Sequence, residues 1–196
     1  MSHSTMIRFI QILPKVSDKG DFLLQDLPGS GKRIDLLCRD LEACFDWGLT
    51  KWPREQIKFI AVLADSVILR FEDPKEAMPR GERAWAEVIK NAIQNNPPFF
   101  VRVSKGDLES VIRELNSPPE SRVWVLYEDG IPIENCKFSI SEAQNSFMLG
   151  DHRGFDSKTE KLMSKFNLGK ISLGNISYLS SHCVVSIISK FERMVE

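Results

Sequence analysis

Two stretches decide how this chain folds: Phe147-Met-Leu-Gly-Asp-His-Arg-Gly-Phe155 and Lys170-Ile-Ser-Leu-Gly-Asn-Ile-Ser-Tyr-Leu-Ser-Ser-His-Cys183. Each carries a short apolar run, at 147–149 and 171–173, that ends in a glycine and enters a loop of small residues. Upstream, Val123-Trp-Val-Leu-Tyr127 runs into Glu128-Asp-Gly130 in the same way. Three strand ends followed by tight loops are how an open α/β sheet builds a ligand crevice at its carboxyl edge. A polar helix lies between the two stretches and an apolar helix follows the second.

Working outward, the same alternation fills the chain. Ile7-Arg-Phe-Ile-Gln-Ile-Leu13 reads as a strand closed by Pro14. Residues 15–31 read as loop, with Gly20, Pro28, Gly29 and Gly31. Ile34, Leu37, Cys38, Leu41 and Phe45 fall on one helical face and predict a helix over 33–47, ended by Gly48. Strands are expected at 57–63, 67–71, 99–103 and 123–127, and helices at 82–94 and 107–115. Pro97-Pro98 and Ser117-Pro-Pro119 are breaks, and a long loop carries Cys136. Strands alternating with helices predict an α/β fold with a mostly parallel sheet flanked by helices. Over 196 residues, without repeats or low-complexity tracts, one domain spanning 1–196 is expected.

Composition excludes several classes of function. The chain is 42% hydrophobic with a net charge of −1, so it has material for a core and no global basic field; nucleic-acid contact would need a local patch. No apolar run is long enough for a membrane span, and the start lacks the pattern of a secretory signal; a cytoplasmic location is expected. Cys38, Cys44, Cys136 and Cys183 form no Cys-x-x-Cys pair and the three histidines are scattered, so neither a metal site nor structural disulfides are expected. Cys38 reads as a small buried hydrophobe.

The motifs narrow the chemistry further. Pro28-Gly-Ser-Gly-Lys-Arg33 looks like a phosphate loop, but the positions of the first glycine and the final Ser/Thr hold Asp26 and Arg33, so the nucleotide-triphosphatase reading fails. The helix after it opens with Lys32, Arg33, Asp35 and Arg39, which suits either a solvated polar face or a phosphate-contacting patch that brings Asp35 to a reacting base. Arg8, on an otherwise apolar strand, is expected to join that patch. Asp151 and His152, directly after a strand, are candidate acid–base residues, or a turn cap and a bystander. Residues 172–177 hold no GxGxxG and no ribose-binding acid follows, which disfavours a nicotinamide or flavin site. A loop of small residues with free backbone groups suits a purine read by main-chain hydrogen bonds, and equally suits ordinary tight turns.

Together these segments resemble the archaeal tRNA pseudouridine-54 N1-methyltransferase family of the SPOUT (trefoil-knot) superfamily. The resemblance begins with Asp21-Phe-Leu-Leu-Gln-Asp-Leu-Pro-Gly-Ser-Gly-Lys-Arg-Ile-Asp-Leu-Leu-Cys-Arg39 and continues through Gly81-Glu-Arg83, the strand at Leu126 and Leu149-Gly-Asp-His-Arg-Gly154. It closes with Ile171-Ser-Leu-Gly174 and Ser181-His-Cys183, so it covers nearly the whole chain. It implies a C-terminal trefoil knot and a site for S-adenosylmethionine (SAM) within about 123–196, a homodimer, and tRNA across both subunits. It places Leu126, Gly150, Ile171, Ser172, Leu173, Gly174, Ser177 and Cys183 on the cofactor pocket. It places Arg33, Asp35 and Arg39 toward the RNA, with Arg33 and Asp35 at the chemistry and Asp35 polarising or accepting the N1 proton of pseudouridine. Where archaeal members usually read His-Ala-x-His-Cys followed by His-Asn, this chain reads Leu179-Ser-Ser-His-Cys183 and Ile188-Ser189. Asp40 stands where the family often has cysteine. These departures mark a divergent branch, with a bacterial one among the readings. They leave open a methyltransferase acting on rRNA or another nucleoside, or an RNA-binding module with a degenerate cofactor site.

Overall fold

Alternate residues of a strand face opposite sides of its sheet, and in the first strand both sets are apolar. Ile7, Phe9 and Leu13 enter one core and Ile10 and Ile12 another, so this strand is covered on both faces. The computed structural model describes residues 5–47, 52–116, 121–138, 144–150 and 154–194. The order of elements is β1 (Met6–Leu13), α1 (Ile34–Phe45), β2 (Ile57–Leu63), β3 (Val67–Phe71), α2 (Glu82–Ile93), β4 (Val101–Lys105) and α3 (Leu108–Leu115). There follow β5 (Ser121–Pro132), β6 (Gln144–Leu149), α4 (Ser157–Lys165), β7 (Gly169–Ser172) and α5 (Ser180–Met194).

The strands form one seven-stranded sheet in the order β4-β3-β2-β1-β6-β5-β7. From β2 to β7 every neighbouring pair is parallel; β3 is antiparallel to β2 and to β4. The reason for the reversal is local. Only residues 64–66 separate β2 from β3, and Ala64 and Asp65 both adopt positive φ (49° and 51°), the backbone of a tight hairpin that leaves no room for a crossover helix. Helices α1, α2 and α5 cover one face and α3 and α4 the other.

Register ties the sheet together with an aromatic row. Phe71, Phe59, Phe9, Phe147 and Trp124 lie side by side on β3, β2, β1, β6 and β5, with neighbouring rings 6.1 to 6.4 Å apart from Phe71 to Phe147. The row ends on β7 at Gly169, opposite Trp124, where a Cβ would come within 2.8 Å of the indole ring. Such pairs add to the area they bury and lock the register.

Several boundaries differ from the sequence expectation. The strand expected at 99–103 begins at Val101, because the Val101 N–H turns back to the Pro98 carbonyl at 3.0 Å and leaves Phe99 in a turn. Helix α1 begins at Ile34, since Arg33 is left-handed (φ 73°); Gly48, its expected stop, lies outside the described residues. The strand expected at 123–127 extends to Pro132. Leu126 and Ile131 both pair with Ile171, so residues 127–130 form a bulge between them, one that projects toward the carboxyl edge. The path of the expected knot depends on segments including 139–143 and 151–153, outside the described residues. Among the described residues no helix is long and apolar enough to cross a membrane.

Candidate active site

At the sheet's carboxyl edge the bulge of β5 and the segments after β6 and β7 converge, and there they line a cavity of about 640 Å³. That is within the size range of small-molecule sites, ~300–1,000 Å³. The β5 bulge supplies Tyr127 and Glu128, and Leu126 precedes it. Gly150, Gly154 and Phe155 come from the segment after β6. Leu173, Gly174, Ile176, Ser177 and Tyr178 come from the loop after β7, and Ser180 and Cys183 from α5. Leu36 of α1 and Glu160 of α4 close the sides.

Of the eight residues expected on a cofactor pocket, Leu126, Gly150, Leu173, Gly174, Ser177 and Cys183 line this cavity. Ile171 and Ser172 do not. Ile171 is fully buried in the core because it faces the α1 and α5 side of the sheet. Ser172 supports the wall from behind: its hydroxyl accepts the Gly174 N–H at 3.1 Å and lies 2.8 Å from the Gly174 carbonyl and 3.0 Å from that of Glu128. One hydroxyl thus ties the β5 bulge to the β7 loop. Gly174 has φ +151°, and a Cβ there would lie 3.3 Å from the Tyr178 hydroxyl, so a side chain would press on the cavity wall.

The rim is acidic and aromatic. Tyr127 and Phe155 stack at 5.7 Å with 19° between planes, and the Lys170 ammonium sits 3.9 Å from the Tyr127 ring centre. The Tyr127 hydroxyl donates to Glu160 Oε1 at 2.7 Å. That bond, then burial, then the negative charges of Glu160, Asp129 and Glu128 push the phenol up to about 12, because each disfavours a phenolate. Among the described residues the cavity is lined by two carboxylates, Glu128 and Glu160, and by no lysine or arginine. The two carboxylates suit a ligand that carries positive charge. The Cys183 thiol, raised to about 12 chiefly by burial and then by Asp40 and Glu128, is a neutral wall and no nucleophile.

Sequence reading missed Leu36, Tyr127, Glu128, Leu149, Gly154, Phe155, Glu160, Tyr178, Leu179 and Ser180. Leu36 left a trace: it is apolar but off the stripe of Ile34, Leu37, Cys38 and Leu41. Tyr127 and Glu128 sit where a quoted strand ends, so they too were within reach. Glu160 left none, since its place follows only from the packing of α4.

Next to the cavity, the start of α1 carries a charged cluster. Arg33 donates from Nε and Nη2 to the two oxygens of Asp35, both at 3.0 Å. Arg39 reaches Asp35 at 3.4 Å and Glu82, the first residue of α2, at 2.7 Å. Asp35 is 1% exposed while both arginines keep over a third of their side chains in solvent. The carboxylate is therefore an anchor at rest, holding two guanidiniums whose outer faces remain accessible. The preceding loop is closed on itself. Asp26 accepts the N–H groups of Gly29 and Ser30 at 3.1 and 2.9 Å, so its carboxylate takes the amides that a phosphate loop would offer a nucleotide.

Arg8 does not join this cluster. It shares strand parity with Ile10 and Ile12, so it points to the α3 and α4 face, whereas α1 covers the opposite one. There it bonds Ser146 at 3.3 Å and Gln144 at 3.2 Å. Burial lowers its pKa, partly offset by Glu114. Asp151 and His152 lie outside the described residues. Cys38 and Cys44 are buried in the core.

Known proteins resemble this chain over nearly its whole length. A family model described as "Putative SAM-dependent RNA methyltransferase" matches residues 6–195. A protein of Methanococcoides burtonii named tRNA (pseudouridine(54)-N(1))-methyltransferase is 29% identical, over 96% of this chain and 96% of its own. One of the same name from Thermococcus onnurineus is 33% identical over 93% of this chain and 95% of its own. Among solved structures, Archaeoglobus fulgidus Nep1 bound to S-adenosylhomocysteine superposes with a TM-score of 0.65 at 15% identity, covering 97% of this chain and 98% of that one; it shares the fold.

Proposed function

The chain belongs to the family of SAM-dependent RNA methyltransferases, and from that premise we propose that it methylates N1 of a pseudouridine in tRNA, with SAM held in the cavity at the carboxyl edge of the sheet. The observation that carries this reading is the cavity itself, glycine- and serine-walled and bounded by the carboxylates of Glu128 and Glu160. Relatives of about 30% identity over nearly the whole chain bear the name of that activity.

When bound, SAM supplies a methyl group already activated on a sulfonium centre, so the protein's task is alignment and removal of one proton. Gly174, Ser177 and Leu173 form the wall that receives the cofactor, and Ser172 keeps their loop in place. Glu128 and Glu160 favour its positive charge. Arg33 and Arg39 hold RNA phosphates with their exposed faces, the salt-dependent part of RNA affinity. The N1 proton of the target base goes to Asp35, whose oxygens become available when Arg33 turns from them to a phosphate. Nucleophile and proton acceptor are thereby coupled to RNA binding. The base must leave its stack to reach the site, at a cost of a few kcal/mol.

The same reading takes the chain as one knotted domain acting as a homodimer in the cytoplasm, with tRNA spanning both subunits. Ile131, Ile176, Leu179 and Val185, exposed apolar side chains beside the cavity and on α5, supply a face suited to a second copy.

The experiment is methyl transfer from labelled SAM to two tRNAs that differ only in pseudouridine or uridine at the target position, followed by mass spectrometry of the nucleosides. Label in N1-methylpseudouridine from the first tRNA alone is the expected result. Label in another nucleoside, or in rRNA only, overturns the substrate; no transfer to any RNA, despite cofactor binding, overturns the activity.

A further inference from the structure

Where α1 crosses β1 and meets α5, three buried polar atoms have no hydrogen-bond partner among the described residues: Nε2 and Oε1 of Gln11 and Oδ2 of Asp40. Both residues are fully buried. Asp40 Oδ1 accepts a hydrogen bond from Ser180 Oγ at 2.8 Å, and Ser180, the first residue of α5, lines the cavity. Gln11 is the other polar side chain acting on Asp40; it sits on β1 opposite Leu149, itself a cavity residue.

A charged carboxylate is poorly served there. The guanidinium that acts on it, Arg39, is committed to Asp35 and Glu82. Gln11 can pair with either state, by donating Nε2–H to a carboxylate or by accepting Oδ2–H from an acid. Complete burial is what favours the neutral acid, with Oδ1 accepting from Ser180 and Oδ2–H donating to Gln11 Oε1.

We propose that Asp40 is a positioning residue which, as an uncharged acid, bridges β1 to the first turn of α5 and thereby sets how firmly the cavity grips its ligand. This rests on the reading of that cavity as the SAM site. Burial supports it, pushing the Asp40 carboxyl up to about 8 against the opposing pulls of Ser180, Arg39 and Gln11. The thiols that face it stay neutral in that range. The thiols of Cys38 and Cys44 on α1 are held well above their ordinary value by burial, and that of Cys183 on α5 lies near 12. Around Arg39, Glu42 is raised by burial and by Glu82, still an acid of the α1–α2 side with no bond to the bridge.

The sign follows from linkage. The folded value lies above the unfolded one of about 4, so the folded state holds the proton more tightly and stability falls as pH rises from about 4 to about 8, then levels off. Asp40→Asn reproduces the hydrogen-bonding pattern of the neutral acid, accepting from Ser180 and donating to Gln11, but does not ionise.

Two measurements on the full chain test the proposal. Without ligand, Asp40→Asn melts within a few degrees of the wild type at pH 5 and about ten degrees or more above it at pH 8.5. With S-adenosylhomocysteine in a calorimeter, the wild type loses about tenfold more affinity than Asp40→Asn between pH 6.5 and 9, about one pH unit past the ionisation; comparing the two proteins cancels titration of the ligand's own groups. An Asp40→Asn protein that melts below the wild type at pH 8.5, or equal pH dependence of affinity in both, overturns the proposal. If neither protein binds S-adenosylhomocysteine at any pH, the cofactor reading falls, and the melting comparison still decides whether Asp40 is the neutral bridge.

Discussion

Arg33 and Asp35, two residues apart, form a two-pronged ion pair in which Nε meets Oδ1 and Nη2 meets Oδ2, each at 3.0 Å. Neighbours at that spacing do not face one another on a regular helix. They meet because Lys32 and Arg33 are both left-handed, with φ of 49° and 73°, which turns the arginine back over the first turn of α1. Non-glycine residues in that region carry strain, and strain of this kind collects at functional sites.

Asp35→Asn keeps the shape but weakens the grip on both guanidiniums and takes away the proton acceptor. Methyl transfer falls about 10²-fold or more, while S-adenosylhomocysteine affinity stays within about twofold, since Asp35 does not line the cavity. Arg33→Ala weakens RNA binding and reduces the salt slope of affinity by about one unit. Single-turnover rates and binding titrations at several salt concentrations check both.

Gly174→Ala puts a methyl group 3.3 Å from the Tyr178 hydroxyl, at a backbone φ of +151°. The β7 loop must shift, and S-adenosylhomocysteine affinity drops about tenfold or more, as for ~1–3 kcal/mol of overpacking. Calorimetry reads the loss, and circular dichroism is unchanged.

Gly169→Ala strikes the aromatic row. The new Cβ would lie 2.8 Å from the Trp124 ring, displacing an indole packed edge-on to Phe138 at 5.7 Å. Destabilisation of about 1–3 kcal/mol is expected, measured as a lower denaturant midpoint with unchanged slope.

Tyr127 titrates late, near pH 12, because its hydroxyl donates to Glu160. In a Tyr178→Phe background it is the sole tyrosine, so absorbance at the phenolate band follows it alone. Glu160→Gln removes the bond to a carboxylate and the largest negative charge, and the titration moves to lower pH. An unchanged midpoint would contradict the bond.

The apolar runs at 7–13 and 57–63 and the helical stripe of Ile34, Leu37, Cys38 and Leu41 were legible because each is a local property of a single element. The glycine-ended strands at 147–149 and 171–173 were legible for the same local reason, and with them the carboxyl-edge cavity. Which residues reach that cavity was only partly so. Ile171 and Ser172 lie in the right stretch, but strand parity turns Ile171 into the core on the α1 and α5 side, and the Ser172 hydroxyl is taken up by the backbone of the β5 bulge and the β7 loop.

The tertiary structure alone decided the rest. Arg8 was separated from Arg33 and Arg39 by the thickness of the sheet, Glu160 was brought to the rim by the packing of α4, and Asp40 was joined to Ser180 across 140 residues of sequence. Sequence by itself determines which residues can be buried, since that depends on each side chain's hydration. Which buried or charged groups then meet depends on strand order and helix placement, properties of the whole chain that no local pattern records.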